Sequence, residues 1–323
     1  MVSDVAFESI AQAADILRGV AHVTPVISNR QLDAVAQASV FLKCEQFQKT
    51  GSFKFRGAYH AASHVLSSGR SKTVATISSG NHGQGLALAA KLLGLSAHVI
   101  VPKPESALKL AAISSYGAQL HLEENRSLAE TTIREMTEQG EIIPIHAFND
   151  PHVIAGQGTI MLELFSQVPD LDIILAPIGG GGLLSGLCLA THHLNPSLRV
   201  YACEPYGAAD AKESLRLNQV IPMPAPQTLA DGLRTSLGSK TLPILRQHLT
   251  DVLLVSEEEI VAAMRFVSER MKLVIEPSSA VAIAPLLRAE SVLRGKRVGV
   301  VITGGNVDLE IFWKSLKPAA GQP

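Results

Sequence analysis

The apolar positions of this chain alternate between two patterns, a spacing near 3.6 residues and short continuous runs, and the alternation itself predicts the architecture. Ile10, Ala13, Ala14, Leu17 and Val20 fall on one face of a helix over Val5–Val20, which Thr24-Pro25 ends. Val40–Cys44 reads as a short strand and, after the segment that carries Lys54, Gly57–Leu66 as the rest of a helix. Strand Thr73–Ile77 then leads through Ser78–Gly83 into an Ala/Leu-rich helix over Gln84–Leu93. Strand Ala97–Val101, helix Ser106–Tyr116, strand Gln119–Leu122, helix Ser127–Gln139 and strand Ile142–His146 complete a first series. A second runs through helix Gly156–Phe165, strand Asp172–Ala176, a helix opened by Ile178–Gly186, strand Arg199–Cys203, helix Glu257–Met271 and strand Arg297–Ile302. Strands alternating with helices in this way require a parallel sheet covered on both faces. The expected fold class is α/β, with two open parallel-sheet domains. The smaller occupies about 48–147, and the larger is discontinuous, 1–47 with 148–323, because the strand at Val40 precedes the smaller unit.

Length and composition fit this division. At 323 residues and 46% hydrophobic, the chain is long enough for two cores. A formal net charge of -1 leaves no basic face for nucleic acid or an anionic membrane. No apolar run approaches the roughly 18 residues of a membrane-spanning helix, and acidic Asp4 and Glu8 argue against a signal peptide. Cys44, Cys188 and Cys203 are odd in number and widely spaced, which suggests neither disulfides nor zinc and points to the reducing cytoplasm. There is no internal repeat, and only Pro318–Pro323 looks loose.

Five short stretches carry candidate chemistry. Gly51-Ser-Phe-Lys-Phe-Arg-Gly57 sets Lys54 between two aromatics beside Arg56. Apolar surroundings and a neighbouring positive charge would favour the neutral, nucleophilic amine; a solvated lysine early in a helix is the competing reading. Gly179–Gly182 stands between a strand and a helix. Its side-chain-free amides and the helix N-terminus form a cup for one phosphate monoester, unless the run is only a flexible turn. It is neither a P-loop nor a dinucleotide fingerprint. In Ser78-Ser-Gly-Asn-His-Gly83 the amides, Asn81 and His82 suit a carboxylate and Ser79 a reacting carbon, or a serine merely caps the helix. Thr303-Gly-Gly-Asn306 ends the last strand, where open α/β sheets bind ligands, so Thr303 either bonds a ring nitrogen or caps the turn. Glu204 and Asp210 are spaced for a hard cation held through oxygens, or are two solvated acids.

Taken in order, these motifs resemble the fold-type II pyridoxal-phosphate enzymes, specifically the serine racemase and serine/threonine dehydratase family, over about Ile10–Leu309. The carriers are Gly51–Ala58, Ser78–Gln84, Ala155-Gly-Gln-Gly-Thr159, Gly179–Leu183, Ala230-Asp-Gly-Leu233, Met271-Lys-Leu273, Glu276-Pro-Ser278 and Thr303–Leu309. Little follows Asn306, so the regulatory domain of biosynthetic threonine deaminases is not expected. The resemblance implies a tryptophan synthase beta-like fold and pyridoxal 5'-phosphate on Lys54 as a Schiff base, with Phe53 packed beside it. It implies that Asn81 bonds the phenolic oxygen, that Gly179, Gly180, Gly181, Gly182 and Leu183 hold the phosphate, and that Glu276 neighbours the cofactor. Ser79, Asn81 and His82 would hold or act on substrate. Glu204, the Ala208 carbonyl and Asp210 would bind Mg²⁺, or Ca²⁺ or Mn²⁺. Thr303 stands where the family has a hydroxyl facing the pyridine nitrogen, more often serine.

A hydroxyl partner leaves that nitrogen largely neutral, which favours expelling a β-hydroxyl over prolonged carbanion chemistry. The expected activity is therefore dehydration of L-serine or L-threonine to a 2-oxo acid and ammonia, Lys54 taking the Cα proton, with some racemisation through Ser79 on the other face. An alternative substrate is 3-hydroxyaspartate or phenylserine. His146, Arg126 and Arg234 are candidate contacts for a second carboxylate, or are surface residues. A non-catalytic binding or regulatory protein is the alternative of another class. The family suggests a homodimer, and the place of Lys54 at the entry to the smaller domain suggests that closure brings Ser79 over it.

Overall fold

The computed structural model describes residues 5–103 and 107–315. The expected start of one helix at Ser106 and the loose tail at Pro318–Pro323 lie outside the described residues. In chain order the first elements are α1 (Phe7–Leu17), β1 (Val26–Ile27), α2 (Arg30–Ala36), β2 (Ser39–Cys44), α3 (Lys54–Ser68) and β3 (Thr73–Ile77). There follow α4 (Asn81–Leu93), β4 (Ser96–Pro102), α5 (Ala107–Ser115), β5 (Gln119–Glu123), α6 (Arg126–Glu138) and β6 (Ile143–Pro144). The remainder comprises α7 (Pro151–Gln167), β7 (Ile173–Pro177), α8 (Gly182–Leu194), β8 (Arg199–Pro205), α9 (Asp210–Leu217) and α10 (Thr241–His248), then β9 (Asp251–Val255), α11 (Glu257–Phe266), a π-helical turn over Val267–Met271, and β10 (Arg297–Ile302).

Strands β3 to β6 form a four-stranded sheet in the order β5-β4-β3-β6, all parallel. The other six form a second sheet, β1-β2-β10-β7-β8-β9, in which only β1 runs antiparallel. Successive residues of a strand face opposite sides, so Val300 joins the core under α2 and α11 while Val301 joins the core under α1, α7 and α8. Strand β7 is buried at every position, which is why its sequence is apolar without alternation.

The sequence reading missed β1, α2, α9, α10 and β9, and it placed the start of α4 three residues late. The late start matters, because the omitted first turn carries Asn81 and His82. β3, β7 and β10 end at Ile77, Pro177 and Ile302, so the turns that follow them, with Ser78, Gly179 and Thr303, stand at the carboxyl edges of the two sheets.

Candidate active site

Lys54 is the first residue of α3, delivered by a segment that pairs with the turn after β10. The Phe53 N–H donates to the Thr303 carbonyl at 3.0 Å, the Gly305 N–H donates to the Gly51 carbonyl at 3.0 Å, and Ser52 forms an antiparallel bridge with Gly304. Gly51 has φ +70°, and a Cβ there would stand 2.4 Å from Asn306 Oδ1, so no other residue fits. At the far end of the motif, Gly57 and Gly156 let α3 and α7 touch backbone to backbone; a Cβ on Gly156 would stand 2.6 Å from the Gly57 Cα.

The Lys54 Nζ donates to the Ala147 carbonyl at 3.0 Å and lies 5.1 Å from the centre of the Phe53 ring. Burial strips this amine of water and pushes its pKa down to about 8, with the Glu276 carboxylate pulling it partly back. Arg56 contributes nothing to that depression, contrary to the expectation from sequence. Residues two apart on a helix do not share a face, and Arg56 points away from Lys54 into a buried ion network. Its Nε and Nη2 donate to Glu45 at 2.8 Å each, and its Nη1 and Nη2 donate to Glu163 at 2.6 and 2.9 Å. Lys43 completes the network, donating to Glu163 Oε2 at 2.7 Å. Phe55 likewise turns away, into the core of the four-stranded sheet.

The turn after β3 settles which serine serves the start of α4. The N-cap position of α4 is Gly80, and Ser78 Oγ, two residues before it, accepts from the N–H groups of Gly80 and Gly83 at 3.2 and 3.0 Å, so Ser78 rather than Ser79 serves the first turn. Ser79, half-buried, has no hydrogen bond to another described residue. The Asn81 Nδ2 donates to both oxygens of Glu276, at 3.1 and 3.0 Å, and its Oδ1 accepts from Asn306 Nδ2 at 2.8 Å. Glu276 is buried, and desolvation pushes it up to about 7 despite the Asn81 bonds. His82 is buried too; its Nε2 lies 3.3 Å from the Ile145 carbonyl, and burial, aided by the Lys54 charge, pushes it down to about 3. As a neutral ring donating through Nε2, it presents Nδ1 as an acceptor, and that buried atom has no partner.

Gly181, at φ +87°, caps α8, which begins at Gly182. The Ser185 N–H donates to the Gly181 carbonyl at 2.8 Å, whereas the amides before it have no acceptor within the helix. This is an anion cup at a helix N-terminus. The turn is also tightly packed: a Cβ on Gly180 would stand 2.3 Å from the Phe148 ring, and one on Gly182 2.8 Å from the Phe148 Cβ. The glycines therefore make room for Phe148 as well as baring their amides, which excludes a loosely flexible turn. The Leu183 side chain is buried in the large-domain core, so only its amide is turned to this site. Thr303, 4% exposed, lies with its Oγ1 2.9 Å from Ser279 Oγ.

Lys54, Phe53, Asn81, His82, Glu276, Thr303 and the glycine loop thus meet through a continuous set of contacts. Ala147, Phe148, Ser279 and Asn306 belong to the same cluster and were given no role from sequence; the polar run Ala147-Phe-Asn-Asp150 leading into α7 was the available signal. Glu204, Ala208 and Asp210 form a separate cluster where β8 passes into α9. Both acids are buried, so the reading as solvated side chains is wrong. Glu204 accepts from the N–H groups of Ala211 and Lys212 at 2.7 and 3.1 Å, capping α9, while Asp210 Oδ2 is buried without a partner. Desolvation pushes Glu204 up to about 8 and Asp210 up to about 6. Of the candidates for a second carboxylate, Arg234 is committed to the Thr228 carbonyl through Nε at 3.1 Å and Nη2. His146 is pushed down to about 4, first by burial and then by the charges of Arg126 and Lys54.

This arrangement matches known proteins along nearly its whole length. A family profile described as "Pyridoxal-phosphate dependent enzyme" covers residues 17–304. The chain is 42% identical over 316 residues to an L-threo-3-hydroxyaspartate ammonia-lyase from a Pseudomonas species, spanning 96% of this chain and 98% of that one. It is 42% identical over 320 residues to the serine racemase of Dictyostelium discoideum, spanning 98% and 99%. The solved structure of maize serine racemase superposes with a TM-score of 0.92 at 38% identity, covering 97% of both chains. With its desolvated lysine, anion cup and two α/β sheets, this chain belongs to the fold-type II pyridoxal-phosphate dependent enzymes.

Proposed function

We propose that this chain is an ammonia-lyase of β-hydroxy amino acids, acting first on L-serine and L-threonine, with a secondary racemase activity. The observation that carries the reading is the buried Lys54 amine, depressed to about 8 and donating to the Ala147 carbonyl at 3.0 Å, beside several buried polar atoms that have no partner. Ser52 Oγ, Thr50 Oγ1 and His82 Nδ1 are all buried without partners, as expected of residues that await a ligand. Pyridoxal phosphate fits the residues present. Lys54 would carry it, the amides of Gly179–Leu183 would hold the phosphate, Thr303 would meet the ring nitrogen, and Asn81 would meet the phenolic oxygen. When bound, the cofactor supplies an electron sink for charge developing at the substrate Cα.

The protein's own part follows from its geometry. Lys54, whose neutral form is half populated near pH 8, takes the Cα proton from one face. Ser79 is free to serve the opposite face because Ser78 serves the first turn of α4. Glu276 fixes the Asn81 carboxamide, and neutral His82 offers an acceptor without adding a second cation beside Lys54. We further infer that residues 48–147 close on the rest of the chain to exclude water, and that the enzyme is a cytoplasmic homodimer. The Glu204–Asp210 pair suits Mg²⁺ or Ca²⁺. Two desolvated carboxylates and the Ala208 carbonyl would form a hard-cation donor set, and a cation would offset the cost that raises both acids.

A second reading, 3-hydroxyaspartate as the substrate, is favoured by one observation. His146 is held neutral by burial and by the nearby Arg126 and Lys54 charges, and its Nδ1 accepts from the Phe148 and Asn149 N–H groups at 3.4 and 3.0 Å, so its Nε2–H would be left to donate to a second carboxylate. A panel of serine, threonine, 3-hydroxyaspartate and phenylserine isomers, assayed for 2-oxo acid and ammonia, separates the two. Release from none of them, together with a Lys54→Ala variant that keeps the visible cofactor band, would refute both.

A further inference from the structure

Helices α1 and α7 pack in a core of the six-stranded sheet, whereas α3, which begins with Lys54, packs in the core of the four-stranded one. The three meet along a cleft of about 390 Å³ lined by Ser9, Gln12 and Ile16 of α1, His60 and His64 of α3, and His152 of α7. Three imidazoles therefore share one seam. The His64 and His152 rings stack with centres 3.7 Å apart and planes 24° from parallel, and the His60 ring meets His152 edge-on at 5.6 Å. His60 is buried, and its Nδ1–H donates to the His152 carbonyl at 2.7 Å, so a second proton on that ring has to enter at Nε2.

Counter-charge is scarce at this seam. Among the described residues α1 lines it with no charged side chain, and its Asp15 is paired with Arg18 at 2.6 Å. The carboxylate that acts on His60 and His152 is Asp150, whose Oδ1 already accepts from the His152 and Val153 N–H groups at 2.8 and 3.0 Å. Burial, and after it the charges of the neighbouring rings, hold His60 and His152 below the ordinary 6.5. We propose that this trio is an acid-sensitive clasp between α3 and the α1–α7 pair: neutral rings pack the seam, and charged rings push it open, loosening the helix that carries Lys54. An imidazole that takes its proton more readily in the unfolded chain than in the folded one contributes stability in full above pH 6.5 and loses it as pH falls below that value. Glu204 and Asp210, both raised by burial, work in the opposite sense, but they are common to every variant and cancel in the comparison.

The test is to melt the holoenzyme at pH 7.5 and 5.5 as wild type, as His64→Phe, which keeps a stacked ring without its charge, and as His152→Gln, which removes both ring contacts. On acidification the wild type should lose about 3–5 °C more than either variant, the equivalent of about one pK unit. Hydrogen exchange at pH 5.5 should be about tenfold faster in the wild type than in His64→Phe along α1, α3 and α7, and equal in the two along β7 and β10. Equal acid losses in all three proteins overturn the clasp. Unequal losses with exchange that quickens evenly along the whole chain overturn it as well, because the trio would then act on global stability and open no seam. If His152→Gln fails to fold, the exposed His64→Phe decides by itself.

Discussion

Replacing Arg56 with methionine separates the two roles that its neighbourhood with Lys54 suggests. Arg56 is 1% exposed and makes two bidentate pairs, with Glu45, which is fully buried, and Glu163, which is 20% exposed. With Lys43, the group of four is electrically neutral. Removing the guanidinium leaves one negative charge uncompensated at the junction of β2, α3 and α7. Breaking a buried pair in this way costs about 3–5 kcal/mol, a large part of the roughly 5–15 kcal/mol that holds a domain folded. At about 2–4 °C per kcal/mol, the melting temperature should fall by about 6–20 °C. The double variant Arg56→Met/Glu45→Gln restores neutrality, leaving Lys43 paired with Glu163, and should regain about 1–3 kcal/mol of the loss. Lys54 should be indifferent, its amine still titrating near 8, because desolvation rather than Arg56 depresses it. Calorimetry of the three proteins and the pH dependence of amine labelling in each provide the measurements. A double variant no more stable than Arg56→Met would refute the charge accounting, and a Lys54 pKa that rises in either variant would restore Arg56 as its neighbour.

Other consequences follow from single groups. In chelator-treated protein, Glu204 has a folded pKa of about 8 against 4.5 for the free group, and Asp210 about 6 against 3.8. A raised carboxyl pKa stabilises the fold at low pH, and that contribution is lost as pH rises through the folded value. Melting temperature should therefore decline from pH 5 to pH 8, and Mg²⁺ or Ca²⁺ should restore it most at pH 8; a restoration independent of pH would dissociate these acids from the cation. In cofactor-free protein, the initial rate of Schiff-base formation with pyridoxal phosphate should rise with a midpoint near pH 8 and vanish in Lys54→Ala, read from the visible absorbance. Ser79→Ala should lower racemisation by about 10²–10⁴-fold, the usual worth of a positioned proton donor, and elimination far less; equal losses would deny it a separate face. Gly180→Ala should cost about 1–3 kcal/mol of stability in the cofactor-free protein, since the new methyl meets the Phe148 ring; an unchanged melting curve would show that the ring moves aside freely.

Much of this was legible in the chain. Strands such as Thr73–Ile77 and Arg297–Ile302 disclosed themselves because central parallel strands are apolar on both faces. The two-residue β1 left too little pattern to read, whereas β9, at the sheet edge, carries the apolar run Val252–Val255 and was legible though missed. The start of α4 was missed because Asn81 sits among glycines and small polar residues that read as loop. Lys54 itself was identified, but the cause of its depressed pKa was misassigned: sequence proximity put Arg56 beside it, and helical geometry put Arg56 on the other side. Glu204 and Asp210 showed the opposite limit. Their spacing was plain, whereas their burial depends on β8 and α9 packing into the large core, which no local pattern records.

Phe148 adds a consequence for how such chains are compared. Its ring occupies the space that a side chain at position 180 would need, and its Cβ and backbone the space at position 182, so both glycines are required by the fold before any ligand arrives. A descendant that had abandoned the cofactor would still be obliged to keep Gly180 for as long as it kept the phenylalanine, and Gly182 for as long as the backbone ran this way. A glycine run at this place is therefore a record of packing ancestry. Retention of activity in a distant relative is better judged from Lys54 and Ser79, which the fold places in the cleft and does not itself require.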